Sequence, residues 1–203
     1  YIFNINYDEY QIFKKSINKF RQLEWNRNET INNEPKIPYE CNYLAKECYK
    51  NSFIREAVIP SNIRNIRNNC FQNCILLTSV YIPDSVTYLN DNVFEDCENL
   101  IKVRLSQNII TLPNGLFKNC EKLEHIDFPK RLTQIDDECF YNCKSLTSIH
   151  IPDGCEIMRN CFVGCTSLKE LTLPNENGIV DCEVSPEEYE IIRKFGYKCK
   201  NVL

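Results

Sequence analysis

The side chains with the widest range of chemistry in this sequence are its thirteen cysteines. Three pairs have the C-x3-C spacing that falls within the loose range of zinc ligands: Cys70/Cys74, Cys139/Cys143 and Cys161/Cys165. The second cysteine of each pair recurs at a fixed interval along the chain. Ligands supplied in this way would occupy repeated positions and would not converge on one tetrahedral site. The pattern therefore favours core packing over a metal site, because a thiol is small and tolerates burial.

Disulfide formation is the other chemistry open to these thiols. Most of the cysteines fall on two repeated columns, which are Cys74, Cys97, Cys120, Cys143 and Cys165, and Cys48, Cys70, Cys139 and Cys161. We expect buried, reduced cysteines, with disulfides between repeats as the alternative. Cys182 and Cys199 lie outside the columns and are the best candidates for a disulfide or a reactive thiol, although free thiols are favoured there too.

Motifs that would support catalysis are absent from the sequence. There is no Gly-rich phosphate loop, no Gly-x-Ser-x-Gly and no His-Glu-x-x-His, and two histidines leave few candidates for a triad. We therefore predict that the protein is not an enzyme, with no catalytic residues, no metal and no cofactor.

The charge of the chain narrows the possible partners. A formal net charge of −4 gives no electrostatic reason to bind nucleic acid or an anionic membrane, since both need a basic face, so neither is an expected partner. No apolar run approaches the roughly 18 residues that span a bilayer, so we expect no membrane insertion. The chain begins at Tyr1 without a methionine, so the true N-terminus is expected to be missing and targeting cannot be read.

The elements that position these residues are the copies of a repeat of 22 or 23 residues. One segment of the repeat appears as Phe71-Gln72-Asn73-Cys74, Phe94-Glu95-Asp96-Cys97, Phe117-Lys118-Asn119-Cys120, Phe140-Tyr141-Asn142-Cys143 and Phe162-Val163-Gly164-Cys165. A Leu-x-x-Val-x-Ile pattern follows each copy and ends at a proline in most of them, which predicts a short strand that a turn terminates. Such units stack on one another, because none can bury its apolar face alone.

The pattern Ile-Pro-x-x-Val-x-x-Ile, then Cys-Phe-x-x-Cys-x-x-Leu-x-x-Val-x-Ile-Pro, resembles the BspA-like leucine-rich repeat proteins over about residues 37 to 173. Ser52 and Ser106 are local departures from it. The predicted fold class is α+β and β-rich: a right-handed leucine-rich repeat solenoid with parallel strands on one face and helical caps at both ends. The resemblance implies protein binding as the function. It also implies adhesion to extracellular matrix or host-cell surfaces as a further candidate function.

Three segments are predicted along the chain. Residues 1–36 form an N-terminal helical cap, with a helix of about 8 to 24, and a polar loop. Residues 37–173 form the solenoid of about six repeats, and 174–203 form a C-terminal cap. Ser185-Pro186-Glu187-Glu188 begins like a capping box and predicts a helix over 185–195. Its residues Tyr189, Ile192 and Phe195 share one face, which would pack on the last repeat.

Strand geometry predicts the functional surface. Along each strand the apolar residues point into the core, so the residues beside the central Val or Ile point outward. The predicted partner-binding residues are Glu56, Ser79, Tyr81, Lys102, Arg104, His125, Asp127, Ser148, His150, Glu170 and Thr172. These outward positions vary between repeats while the core positions do not. Tyr81 and Arg104 are the preferred interface anchors, although Asp127 pairing with Arg104 and His150 in a solvated ladder is an alternative.

We therefore predict a protein-protein interaction module that binds an unidentified protein partner through the exposed sheet face. Abundant thiols favour a cytoplasmic scaffold. A cell-surface adhesin that binds a host or matrix protein is the alternative, and the family resemblance favours it. The sequence leaves the oligomeric state open.

Overall fold

The computed structural model describes residues 3–4, 23–25, 41–173 and 179–202, with side chains placed for 41–173 and 185–197. Within this part of the chain, the repeats form successive coils of a parallel β-solenoid. Each complete coil contributes one three-residue strand to a first wall and one two-residue strand to a second wall. The predicted solenoid is therefore confirmed.

The first wall consists of the strands predicted from the Leu-x-x-Val-x-Ile pattern. They are β4 (Glu56–Val58), β6 (Ser79–Tyr81), β8 (Lys102–Arg104), β10 (His125–Asp127), β12 (Ser148–His150) and β14 (Glu170–Thr172). The strands β4, β6, β8 and β10 pair in parallel as one sheet, and β12 pairs with β14. The central residue of every strand is buried and its two neighbours face outward. This alternation is the period of two that a half-buried strand requires.

The second wall is also a parallel ladder, which the sequence analysis did not predict. Its strands are β1 (Phe3–Asn4), β2 (Leu23–Trp25), β3 (Tyr43–Leu44), β5 (Asn65–Ile66), β7 (Tyr88–Leu89), β9 (Thr111–Leu112), β11 (Gln134–Ile135) and β13 (Glu156–Ile157). The first five form one sheet, and the last three form another. From β3 to β13, each of these strands has only two residues, which is too short to show an alternating pattern in the sequence.

Stacked aromatic rings run through the core between the two walls. Phe71, Phe94, Phe117, Phe140 and Phe162 are fully buried, one in each coil. The ring centroids of Phe94 and Phe117 lie 5.7 Å apart with planes inclined by 6°, and those of Phe117 and Phe140 lie 5.7 Å apart at 20°. Such offset stacking adds to the hydrophobic gain from burial, so each ring ties its coil to both neighbours.

A polar ladder runs along the turn just before the column cysteines. Residues Asp96, Asn119 and Asn142 occupy the left-handed region, with φ between 58° and 60°. The Asn119 amide donates to Asp96 Oδ1 at 2.8 Å, and the Asn142 amide donates to Asn119 Oδ1 at 3.0 Å. The last residue of this column is Gly164, where a Cβ would overlap Asn142 Oδ1. Glycine therefore lets the last coil approach the ladder closely.

The C-terminal segment contains strands β15 (Ile179–Val184) and β16 (Lys198–Val202), which pair in parallel, and helix α1 (Pro186–Lys194) between them. The helix lies within the predicted range of 185–195. The Ser185 hydroxyl accepts a hydrogen bond from Glu188 N at 3.3 Å, as an N-cap does. Ile192 is buried in the common core, against which Tyr189 and Phe195 also pack.

The predicted N-terminal helix of about 8–24 lies outside the described residues, except that Leu23 and Glu24 belong to β2 and not to a helix. Strands β1 and β2 pair in parallel with each other and then with β3. The second-wall ladder therefore starts before residue 37, while the boundaries drawn at 36 and 173 stay predictions. In the ranges that the structure covers, no helix is long and apolar enough to cross a bilayer.

Candidate functional site

The candidate site is the outward face of the first wall, which we call the strand face. The register places one outward column through Glu56, Ser79, Lys102 and His125 and a second through Val58, Tyr81, Arg104 and Asp127. Ser148 and His150 lie on β12, opposite Glu170 and Thr172 on β14. All eleven predicted residues thus occupy outward positions on these six strands. Their role in binding remains a prediction.

The N-terminal part of the strand face carries exposed apolar side chains. Val58 on β4 is 81% exposed, and Tyr81, its register partner on β6, is 54% exposed. Exposed Lys102 on β8 lies beside Ser79. Single exposed apolar residues are ordinary on protein surfaces, whereas adjacent ones on a rigid sheet are a feature of contact sites.

Arg104 is held in place by a cluster of contacts. Its guanidinium lies over the Tyr81 ring at 4.6 Å from the centroid, and its two terminal nitrogens bind the Asp84 carboxylate at 3.0 and 3.1 Å. The hydrogen bonds between these groups raise the pKa of Arg104 and lower the pKa of Asp84. Asp84 also accepts from Gln107 N at 2.9 Å. The Asp84 carboxylate therefore balances the Arg104 charge while the guanidinium packs on the Tyr81 ring. The Arg104 and Tyr81 side chains both stay partly exposed, and their role as interface anchors is a prediction.

The charged groups on the strand face pair differently from the predicted ladder. Asp127 does not bridge Arg104 and His150: it accepts from His125 on its own strand, with Nε2 and Oδ1 3.0 Å apart. His150 instead faces β14, with Nδ1 3.1 Å from Thr172 Oγ1. Residues two apart on a strand point to the same side, which explains the His125 and Asp127 contact. The ladder alternative was therefore wrong in its partners.

The thiols of the column that begins at Cys74 donate hydrogen bonds to backbone carbonyl oxygens. The observed hydrogen bonds run from Cys74 Sγ to Tyr49 O, Cys97 Sγ to Phe71 O, Cys120 Sγ to Phe94 O, Cys143 Sγ to Phe117 O and Cys165 Sγ to Phe140 O, at 3.0–3.2 Å. Each thiol thus donates to the backbone carbonyl oxygen of the aromatic residue in the preceding coil. The sequence signal was available, since every cysteine of this column follows an aromatic residue by three positions, but it was interpreted only as packing.

The same cysteines are not joined by disulfides. Cys97, Cys120, Cys143 and Cys165 are free, buried thiols, so the alternative of disulfides between coils is not seen at these positions. Within the described residues, no group of three or more histidine, cysteine or acidic side chains is arranged to hold a metal ion. Cys182 and Cys199 lie on the paired strands β15 and β16, and a disulfide or a reactive thiol there stays a prediction.

Burial should make the column thiols unreactive. It raises the pKa of Cys143 well above the ordinary value and that of Cys165 to about 12, so almost no thiolate exists at pH 8. We expect iodoacetamide to label neither residue in the folded protein at pH 8, and to label both after unfolding in guanidinium without reductant. Peptide mass spectrometry measures the labelling. Rapid labelling while the circular dichroism stays native would contradict the assignment, and labelling that requires a reductant would reveal a disulfide.

Parallel coils with uniform aliphatic and aromatic core columns and a variable strand face define a leucine-rich repeat solenoid. Residues 42–169 match the family model for the BspA type leucine rich repeat region in six copies. Since the match spans more than half of the chain, the protein belongs to the BspA-type leucine-rich repeat family, as the sequence pattern predicted.

Solved structures of bacterial leucine-rich repeat proteins share this fold. A leucine rich cell surface protein from Faecalibacterium prausnitzii is 30% identical with a TM-score of 0.61, over 66% of this chain and 35% of that one. A Bacteroides ovatus leucine-rich repeat protein is 22% identical with a TM-score of 0.66, over 91% of this chain and 54% of that one. The Treponema pallidum leucine rich repeat protein is 22% identical with a TM-score of 0.56, over 73% of this chain and 86% of that one. No curated protein matches the chain.

Proposed function

We propose that this protein is a non-catalytic interaction module that binds a protein partner on the strand face. The supporting observation is the contrast between the two sides of the same strands. The inward positions of β6, β8 and β10 hold Val80, Val103 and Ile126, all buried and nearly alike. The outward positions of the same strands change in size and charge from coil to coil, which lets a rigid scaffold present a specific surface.

The partner should make its main contact at the N-terminal part of the strand face. Val58 and the braced Tyr81 ring provide apolar area at low cost in side-chain entropy, because the contact with Arg104 already orients the ring. Tyrosine is enriched among residues that dominate binding energy. A complementary partner surface would carry an apolar side chain opposite Tyr81 and an acidic group opposite Lys102.

A matched pair of tyrosines tests this face. Tyr81 lies on the first wall and Tyr88 on the second, and they are 54% and 58% exposed. For a partner isolated with the wild-type chain, we expect Tyr81→Ala to weaken binding by about tenfold or more, while Tyr88→Ala changes it by less than about twofold. Calorimetry measures the affinities. Thermal melting should show that both variants are folded, with the free energy of unfolding changed by less than about 1 kcal/mol. Weaker binding by Tyr88→Ala alone would move the site to the second wall.

Adhesion at a cell surface is the second candidate setting. The observation in its favour is that the Faecalibacterium prausnitzii relative is described as a cell surface protein. The cysteine content no longer favours the cytoplasm, because buried thiols with a raised pKa react slowly in either compartment.

Antibody labelling of intact and permeabilised cells distinguishes the two settings. Labelling of intact cells, removed by brief external proteolysis, supports the adhesin. Labelling that requires permeabilisation supports a cytoplasmic scaffold. Neither outcome decides the strand-face proposal, which the Tyr81→Ala and Tyr88→Ala variants test.

A further inference from the structure

The last coil of the solenoid poses a hydrogen-bonding problem that the inner coils do not have. At several positions of each coil, a backbone N–H points toward the following coil and donates to one of its carbonyl oxygens. In the first position Gly115 N donates to Asp137 O at 3.0 Å and Glu138 N to Arg159 O at 2.9 Å. The equivalent residue of the last coil is Asn160. A buried donor left without an acceptor destabilises the fold.

Two further positions repeat the same arrangement. Phe117 N donates to Cys139 O at 2.9 Å, and Phe140 N donates to Cys161 O at 3.1 Å. On the strand side, Ile151 N donates to Thr172 O at 2.9 Å. The equivalent donors in the last coil belong to Phe162 and Leu173, and each also needs an acceptor.

The Glu188 side chain supplies two of these acceptors. It projects from α1 into the end of the stack, where the residue is fully buried. Its Oε2 accepts from Asn160 N, and its Oε1 accepts from Phe162 N at 3.2 Å. The two side-chain oxygens of Glu188 therefore take the places of two carbonyl oxygens of a following coil. This is a different use of Glu188 from the one that the capping-box pattern predicted.

Tyr197 supplies the third acceptor. Its hydroxyl oxygen accepts from Leu173 N at 3.2 Å, where the inner coils use a strand carbonyl. Between Glu188 and Tyr197, Ile192 is buried in the core that the coils share. The segment 185–197 thus reproduces the apolar contact and three of the acceptors of another coil, using side chains in place of backbone.

We propose that Glu188 and Tyr197 end the repeat array by imitating the next coil, and that Glu188 makes this end a latch that opens more easily as the pH rises. The latch is independent of the proposed binding function, because it lies at the C-terminal end of the stack and not at Tyr81. Opening would uncover the last coil and the backbone N–H groups of Asn160, Phe162 and Leu173.

The direction of the pH dependence follows from burial. Burial raises the pKa of Glu188 to about 7, and the hydrogen bonds from Phe162 and Asn160 only partly offset it. The open state regains an ordinary carboxylate pKa, so the closed state holds an extra proton between about pH 4.5 and 7. Closure is therefore firmest below this window and weakens through it. Among the facing groups, Asp137 adds negative charge, while Cys161 and Cys165 stay neutral because their own pKa values are raised.

Amide hydrogen exchange by NMR on the full chain tests the latch. From pH 5.5 to 7.5, we expect the protection factors of the Asn160 and Phe162 amides to fall roughly tenfold or more. The Phe117 amide, bound to a carbonyl of an inner coil, should show no such change. Glu188→Gln should abolish the slope, whereas Glu187→Gln, at an exposed position on the same helix, should preserve it.

A second variant separates the imitation of a coil from its pH response. Tyr197→Phe removes only a hydroxyl, and we expect it to lower the protection of the Leu173 amide by about fivefold or more while leaving Phe162 unchanged. A flat or reversed slope in the wild type, or a slope that survives Glu188→Gln, would overturn the latch. Unchanged Leu173 exchange in Tyr197→Phe would overturn the coil imitation.

Discussion

Phe117→Ala should lower the free energy of unfolding by about 3–5 kcal/mol. The Phe117 ring is buried between Phe94 and Phe140, with both centroids at 5.7 Å. Truncation would remove two stacking contacts and leave a cavity between coils that the rigid backbone ladders cannot close. Urea denaturation followed by circular dichroism measures the change.

Phe53→Ala is the matched control, because Phe53 is 72% exposed and the same atoms are deleted. We expect its effect to stay below about 1 kcal/mol. Equal effects for the two variants would show that the aromatic column does not carry the core. Since stability in a solenoid is a sum over neighbouring coils, a broadened transition in Phe117→Ala would indicate that the array has split into two cooperative parts.

Deletion of residues 182–203 should convert the protein into self-associating species and lower its melting temperature. The truncation removes the buried Ile192 side chain and the acceptors for the N–H groups of Asn160, Phe162 and Leu173. An uncovered coil end exposes core and unpaired backbone, both of which promote association between chains. Analytical ultracentrifugation over a range of concentrations measures the association.

The control for this deletion is the full chain with Glu187 and Glu190 both changed to Gln, because both side chains are exposed on α1. We expect the free energy of unfolding of this variant to lie within about 1 kcal/mol of the wild-type value. The variant should also show no added association. A monomeric truncation with an unchanged melting temperature would show that 182–203 does not cover the end of the stack.

These expectations separate stability from binding. Changes in the core columns should alter unfolding, and Tyr81→Ala should alter binding with little effect on unfolding. The separation follows from the strands themselves, in which buried central residues such as Val80 alternate with outward ones. A large loss of stability in Tyr81→Ala would mean that the two faces had been inverted.

Much of the fold was predictable because its signals are local and repeated. The recurring Phe-x-x-Cys segments set the period, and the Leu-x-x-Val-x-Ile pattern placed β6, β8 and β10. The range 185–195 contained α1 because Ser185 and Pro186 are strong helix-start residues. The second ladder was missed because its strands within the repeats, from β3 to β13, have two residues each. The part played by Glu188 was missed because its partners, Asn160 and Phe162, lie 28 and 26 residues earlier in the chain.

The sequence by itself determined the period, the inward and outward positions of each strand, and hence the family and the candidate strand face. These features follow from the types and order of the side chains, and the same pattern recurs in each repeat. Only the tertiary structure decided how the polar groups of neighbouring coils pair. The thiols of the cysteine column donate to the backbone carbonyl oxygens of aromatic residues, and Arg104 binds Asp84 and stacks on Tyr81. At the end of the stack, the Glu188 side chain accepts a hydrogen bond that a backbone carbonyl of a further coil would accept. Such contacts depend on distances of a few ångströms between residues far apart in the chain, and stacking alone brings those residues together.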